Sequence, residues 1–348
     1  MANALGEQRK ICERSMQKAV IVADVHYNIS TLTLADAGMH QAINMANSLK
    51  VPLIVAGDLH DTKAQLRGEC VKAIISTFKQ VKTKAYVLVG NHCLLNEKGT
   101  EHSLEFLRPY ANIVDRSTTC ANVGILLPYF SDTSKLLTEL SNIKPESTII
   151  MHQGVQTAYM GHYIQDKTSL PKETFKDFRV ISGHYHKKQD IKCGRPRKGA
   201  VGLFSYIGNL YTLTFGEAND GPKGFQILNS DGLLTFVPTN LRKHVILETH
   251  INELNAVNTA AIQSNDLVWV KLHGPLSELK KLNKNDLGKR LFNNVNYKLD
   301  LIPDKSEVSQ PILAANTSEE VFDKIIDALS DNDNHKNELK DTWRDLLK

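Results

Sequence analysis

Five short apolar runs, each β-branched and nearly continuous, punctuate the first part of the chain: Ala19 to Ala23, Val51 to Ala56, Ala85 to Val89, Ser147 to Met151 and Phe178 to Ile181. Unbroken apolar character, rather than alternation, predicts strands covered on both faces. Between the first two runs, Ala42, Met45, Ala46 and Leu49 recur at offsets of 3, 4 and 7 residues, the spacing of one helical face. Val71 to Phe78 reads as a second helix ahead of the third run. Strand and helix signals in alternation predict an α/β fold. Gly202 to Phe215 and Gly224 to Leu228 read as further strands, the latter closed by the turn Asn229-Ser230-Asp231-Gly232.

The pattern then resets. Strand signals at His244 to His250, Asp266 to Leu272 and the alternating Val295, Tyr297, Leu299, Leu301, with a helix at Pro275 to Leu291, predict a small α+β domain over 243–305. It follows a main domain over 19–242 and an N-terminal extension, 1–18. In the segment 306–348, Thr317 and Glu320 form a capping box, and Val321, Phe322, Ile325, Ile326 and Leu329 share one helical face. Leu339, Trp343, Leu346 and Leu347 follow; these apolar positions either pack on the body or bind a partner.

With 348 residues, 41% of them apolar, the chain can bury more than one core. No run approaches the ~20 apolar residues of a membrane helix, and the charged N-terminus lacks a signal segment, which argues against membrane insertion and secretion. Five cysteines without a CxxC pair suit a reducing cytoplasm. The balance of 42 basic to 38 acidic residues is too even to mark a nucleic-acid binder by composition.

Candidate chemistry changes the picture. Every apolar run is followed by residues able to bind a metal ion: Asp24 and His26, then Asp58, then Asn91 and His92, then His152, then His184 and His186. Strand ends are where sites assemble in open α/β sheets, so parallel strands would gather these groups at one sheet edge. Gly57, Gly90 and Gly183, each just before a ligand, would permit the sharp turns. A nitrogen and oxygen ligand set without thiolates suits manganese, iron or zinc. So many ligands call for two divalent ions, bridged by Asp58, with manganese first in line. Such a pair activates a water and stabilises attacking and leaving oxygens in phosphoester hydrolysis.

These residues resemble the calcineurin-type metallophosphoesterase signature DxH, GDxxD, GNH, H and GHxH, here Asp24/His26, Gly57-Asp58, Gly90-Asn91-His92, His152 and Gly183-His184-Tyr185-His186. Within that superfamily the layout is similar to the SbcD-type DNA double-strand-break nuclease subunit, particularly its bacteriophage versions, helped by the stretch Tyr206 to Phe225. The resemblance implies a four-layer α-β-β-α sandwich with an α+β cap and C-terminal helices. It implies that Asp24, His26, Asp58 and His186 hold one ion, and Asp58, Asn91, His152 and His184 the other. A hydroxide would attack phosphorus in line while His92 assists the leaving group; the alternative for His92 is a seventh ligand. Cys93 departs from the family, where an acidic residue orients that histidine, and Glu97 or Glu101 would have to substitute. The expectation is an active but impaired enzyme, with Cys93→Asp faster.

Two surfaces complete the expectation. Lys187, Lys188, Lys192, Arg195, Arg197 and Lys198 stand against one acid between 187 and 198, so this stretch either contacts DNA phosphates or is a solvated hairpin. By resemblance the tail, acidic in balance, docks through Phe322, Ile326, Leu339 and Trp343 on an SbcC-type coiled-coil ATPase, and a homodimer is expected of the family. The rival functions are a small-molecule phosphodiesterase or protein phosphatase on the same fold, and a catalytically weak scaffold that binds DNA ends.

Overall fold

The computed structural model describes residues 16–61, 66–161, 164–194, 202–283, 287, 291, 297–304 and 340. The chain divides into two units, Met1–His244 and Val245–Lys348. Residues 1–15, the basic residues Arg195, Arg197 and Lys198, and the tail residues Phe322, Ile326, Leu339 and Trp343 lie outside the described residues.

The first unit is a mixed α/β structure with two six-stranded sheets. In chain order its strands are β1 (Gln17–Val22), β2 (Leu53–Val55), β3 (Ala85–Leu88), β4 (Asn112–Val114), β5 (Thr118–Cys120), β6 (Gly124–Leu126), β7 (Thr148–His152), β8 (Arg179–Gly183), β9 (Gln189–Lys192), β10 (Leu203–Tyr206), β11 (Gly224–Asn229) and β12 (Leu234–Pro238). One sheet has the order β12-β11-β1-β2-β3-β4, the other β5-β6-β7-β8-β10-β9. Strands β1 to β4 run parallel, as do β6, β7, β8 and β10. The helices are α1 (Leu32–Leu49), α2 (Gly68–Phe78) and α3 (Thr133–Ser141).

Burial explains the unbroken apolar runs. Val20 and Val22 of β1 pack with Met39, Ala42 and Ile43 of α1 and Ile74 and Phe78 of α2. The intervening Ala19 and Ile21 pack instead with Ile54 and Leu88, and with Leu126, Ile150 and Ile181 of the other sheet. On the far side, Ile149, Met151 and Val180 meet Leu136 and Leu140 of α3. A strand apolar on both faces is thus covered on both. Each fully buried Ile or Leu contributes about 1.5–3 kcal/mol relative to exposure.

Three expectations are corrected. The five runs do form strands, but β1, β2 and β3 belong to one sheet and β7 and β8 to the other, so the ligands approach from two sheet edges rather than one. Only Leu203–Tyr206 of the predicted 202–215 strand is extended structure in a sheet. Beyond it Ile207 and Leu210 are buried in the apolar core, while Asn209 and Tyr211 are buried with their side chains turned to Glu217 and the Val25 carbonyl. The predicted helix Pro275–Leu291 is described as α4 (Leu276–Leu279) and as the buried helical residues Leu287 and Leu291.

In the second unit, β13 (His244–His250), β14 (Leu267–Gly274) and β15 (Tyr297–Pro303) form one sheet in that order. Alternate residues Val268, Val270 and Leu272 are buried with Leu254, Leu279, Leu287 and Leu291. Leu301, one of the alternating apolar positions of β15, is 38% exposed. Among the described residues no helix is long and apolar enough to cross a membrane.

Candidate metal centre

All seven predicted ligands stand at strand ends. Asp24 and His26 follow β1, Asp58 follows β2, Asn91 follows β3, His152 ends β7, and His184 and His186 follow β8. The loops are stitched together across the two sheets. His26 N donates to the Asp58 carbonyl at 3.1 Å, His92 N to Asp58 Oδ1 at 2.9 Å, and His184 N to Asp24 Oδ1 at 3.0 Å. His152 Nδ1 reaches the Ala56 carbonyl at 2.8 Å.

The backbone is strained where the ligands sit. Asp24, His26, Asp58 and His184 have φ of 49°, 49°, 47° and 92°, a region that side-chain-bearing residues seldom occupy. Such strain collects at functional sites, where surrounding structure must hold it in place. Gly57, at φ 91°, has the expected turn role, but Gly90 and Gly183 do not share its left-handed backbone. They are required for space: a Cβ at Gly90 would strike the Asp58 carboxylate, and one at Gly183 the Ala56 carbonyl.

The donor atoms converge with their lone pairs inward. A carbonyl only accepts, so the hydrogen bond to Ala56 fixes the Nδ1 proton of His152 and leaves Nε2 to face Asp58 Oδ2 at 3.1 Å and Asn91 Oδ1 at 3.0 Å. Asn91 Oδ1 is also 3.0 Å from His184 Nδ1. On the other side, Nε2 of His26 and Nε2 of His186 lie 3.0 Å apart. Each of these rings turns its Nδ1 to a carboxylate, His26 to Asp61 Oδ1 at 3.2 Å and His186 to Glu217 Oε1 at 2.8 Å. Two imidazole lone pairs facing each other repel unless a cation stands between them. Asp24, His26 and His186 present ligand atoms within 4.8 Å of one another, as do Asp24, Asp58 and His152, so Asp24 is common to both groups. The residues fit divalent cations.

Electrostatics agree. Burial alone would raise the Asp58 carboxyl, but His152, His26 and His92 beside it hold it well below the usual carboxylate range. Burial would lower His152, yet Asp58 more than offsets this and raises it to about 9. Where a proton is the sole cation at hand, Asp58 draws it onto His152; a metal ion takes over that role and releases the proton. His184 is lowered to about 3 by burial and by the charge of His152, which leaves its imidazole neutral and free to ligate.

His92 is partly exposed, its side chain 35% accessible and Nε2 4.0 Å from Asp58 Oδ2, and with His26 and Asp61 it brings ligand atoms within 4.8 Å of one another. Its Nδ1 lies 2.6 Å from the Asp61 carbonyl, which holds the ring in place of the carboxylate expected after it. Glu97 and Glu101 are exposed, and neither is among the contacts of His92 in the described residues. Cys93 is fully buried in the apolar cluster beneath β3, its thiol pushed up to about 12 by burial and by Asp58. An aspartate there would place a second buried charge beside Asp58, so Cys93→Asp is expected to destabilise the loop rather than improve it.

Two site residues escaped sequence reasoning. Asp61 turns its carboxylate to His26 and its carbonyl to His92, and its carboxyl is lowered to about 2, chiefly by His26. The second acid of GDLHD was its signal. Glu217, the other, lies outside every strand end, in a short turn after β10. Of the basic residues, Lys187 is half-buried with Nζ 5.2 Å from the Tyr159 ring, while Lys188 and Lys192 are exposed.

Fold and site together define an α/β protein whose buried histidines and aspartates can hold metal. No family model matches the chain. It is similar to the exonuclease subunit 1 of Enterobacteria phage T4, 27% identical over 224 residues that take in 60% of this chain and 62% of that protein. The match thus spans somewhat under two thirds of the relative's length.

Proposed function

We propose that the chain is a two-metal phosphodiesterase acting on DNA, an SbcD-like exonuclease and endonuclease subunit of end processing, recombination and repair, built on a four-layer α-β-β-α sandwich. The observation that carries this reading is the inward convergence of imidazole and carboxylate lone pairs from five strand ends. Similarity to a phage exonuclease subunit supports DNA as substrate. When bound, a pair of divalent ions, manganese ahead of iron or zinc, supplies a water of lowered pKa and positive charge for in-line displacement.

The chain's own residues do the rest. Asp24, His26 and His186 would hold one ion and Asn91, His152 and His184 the other, with Asp58 serving both. His92, partly exposed and steadied through Nδ1 by the Asp61 carbonyl, donates a proton from Nε2 to the leaving oxygen. Lys187, Lys188 and Lys192, directly after His186, neutralise phosphates of the bound strand, joined by Arg195, Arg197 and Lys198 of the same stretch. The 243–305 domain shapes DNA access, and 306–348 docks through Phe322, Ile326, Leu339 and Trp343 on an SbcC-type ATPase in the cytoplasm, with a homodimer at its centre. The name of the T4 relative, a subunit, supports a partner.

Manganese-dependent release of nucleotides from linear duplex DNA is the test, with His92→Ala as control. Release that is abolished in the variant and by chelation is the expected result. Hydrolysis of small phosphodiesters with no action on DNA would assign the site to a small-molecule enzyme instead. DNA binding without release would assign it to an end-binding scaffold.

A further inference from the structure

Behind His186, on the side away from the proposed ions, is a charged cluster that the mechanism above does not use. Glu217 Oε1 is 2.8 Å from His186 Nδ1. Its other oxygen, Oε2, accepts from three donors: Lys223 Nζ at 3.1 Å, Asn209 Nδ2 at 3.0 Å and the Leu213 amide at 3.1 Å. Lys223 in turn donates to the His186 carbonyl at 2.9 Å and pairs with Asp220 at 3.0 Å. The side chains of Glu217, Lys223 and Asp220 are 11%, 8% and 3% exposed. Burying two acids and a lysine is costly unless each is paired, so the chain has invested a buried, ion-paired polar network in one imidazole. The network grips that residue twice, at its ring and at its backbone.

We infer that Glu217 is a positioning residue of the metal centre: by accepting the Nδ1 proton of His186 it keeps the Nε2 lone pair aimed toward His26, with Lys223, Asn209 and the Leu213 amide fixing the carboxylate itself. The inference rests on His186 being a ligand. It applies to one ion only, since His152 has its tautomer set by the Ala56 carbonyl and not by Glu217. Outer partners of ligating histidines commonly matter 10- to 100-fold for metal affinity.

The geometry makes Glu217→Gln a tautomer switch rather than a simple deletion. Three donors face the Oε2 side, so the amide oxygen must turn to them and the NH2 group must face His186 Nδ1. A ring facing a donor accepts there and carries its proton on Nε2, the atom that would otherwise ligate. Nitrogen NMR of the imidazoles in the chelator-treated full chain reads the tautomer, and a Mn2+ titration reads the binding. The parent is expected to show His186 protonated at Nδ1 and two bound equivalents. The Gln variant should show the proton on Nε2 and a loss of about 10- to 100-fold in affinity for one equivalent, the other unchanged.

Lys223→Met, which disturbs the same cluster but leaves the carboxylate on the ring, should keep the Nδ1 tautomer; a purely structural role would move both variants alike. Glu217→Asp, which keeps the charge for Lys223 but withdraws it from His186, gives a second reading of the affinity loss if the Gln variant melts early. A Gln variant that retains the Nδ1 proton, or binds both equivalents as tightly as the parent, overturns the inference. Failure of the parent to bind Mn2+ would instead overturn the metal reading, while the tautomer exchange would still decide what Glu217 does.

Discussion

Among the described residues four groups of histidine and acid meet the same proximity test, with ligand atoms within 4.8 Å, and the three at the strand ends are built differently from the fourth at His102, Glu105 and Asp115. At the strand ends, Nδ1 of His152, His26 and His186 turns outward to a carbonyl or carboxylate, and Nε2 of His26 and His186 face each other. In the surface group, His102 Nδ1 accepts from the Leu104 amide at 3.2 Å, so Nε2 carries the proton and points it at Glu105 at 3.3 Å and Asp115 at 3.6 Å. Arg108 closes that group with contacts of 2.7 Å to Glu105 and 2.6 Å to Asp115. The cation is already there. Proximity of donors does not make a metal site; donor atoms turned inward, with no arginine closing the group, do.

The comparison can be broken most severely at Asp58. Removing its charge by Asp58→Asn is expected to abolish tight binding of both ions and to lower nucleotide release by about 10³-fold or more, equivalent to ~4 kcal/mol. Calorimetric Mn2+ titration and a nuclease assay check this together. His92→Ala separates binding from chemistry: both equivalents should remain, while turnover falls about 10²- to 10⁴-fold. If an equivalent of metal is lost with the imidazole, His92 is a ligand after all.

Asp61→Ala, which frees Nδ1 of His26, should weaken one ion by about 10- to 100-fold, read as a higher Mn2+ concentration for half-maximal activity. The smallest effect belongs to the surface group. His102→Ala should leave metal stoichiometry and turnover within about twofold, as its ring faces Glu105 and Asp115 and not the strand-end ligands. A lost metal equivalent there would erase the distinction between that group and those at the strand ends.

Much of the fold was legible because it rests on local pattern. The runs ending at Ala23, Ala56, Val89, Met151 and Ile181 are apolar on both faces, and the recurrence of Asp, Asn or His after all five is what marked the site. Division of these strands between two sheets was not legible, since strand pairing is a long-range choice that no local period encodes. The 207–214 stretch misled for a related reason. Its aromatic and aliphatic residues carry strand propensity, but Asn209 and Tyr211 are spent on Glu217 and on the Val25 carbonyl, which ties the segment to the site instead of to a sheet. Glu217 itself carries no sequence signal, because it reaches His186 across 31 positions with no motif between them. Cys93 illustrates the converse: a missing acid implied a defect, whereas a backbone carbonyl three residues past Asp58 already holds His92.

The central claim is most directly tested by anomalous X-ray scattering from crystals of the full chain grown with Mn2+. Two peaks are predicted, one bounded by Asp24, His26 and His186 and the other by Asn91, His152 and His184, with Asp58 touching both and none beside His102. A peak at His102, Glu105 and Asp115, or no peak among the strand-end ligands, would contradict it.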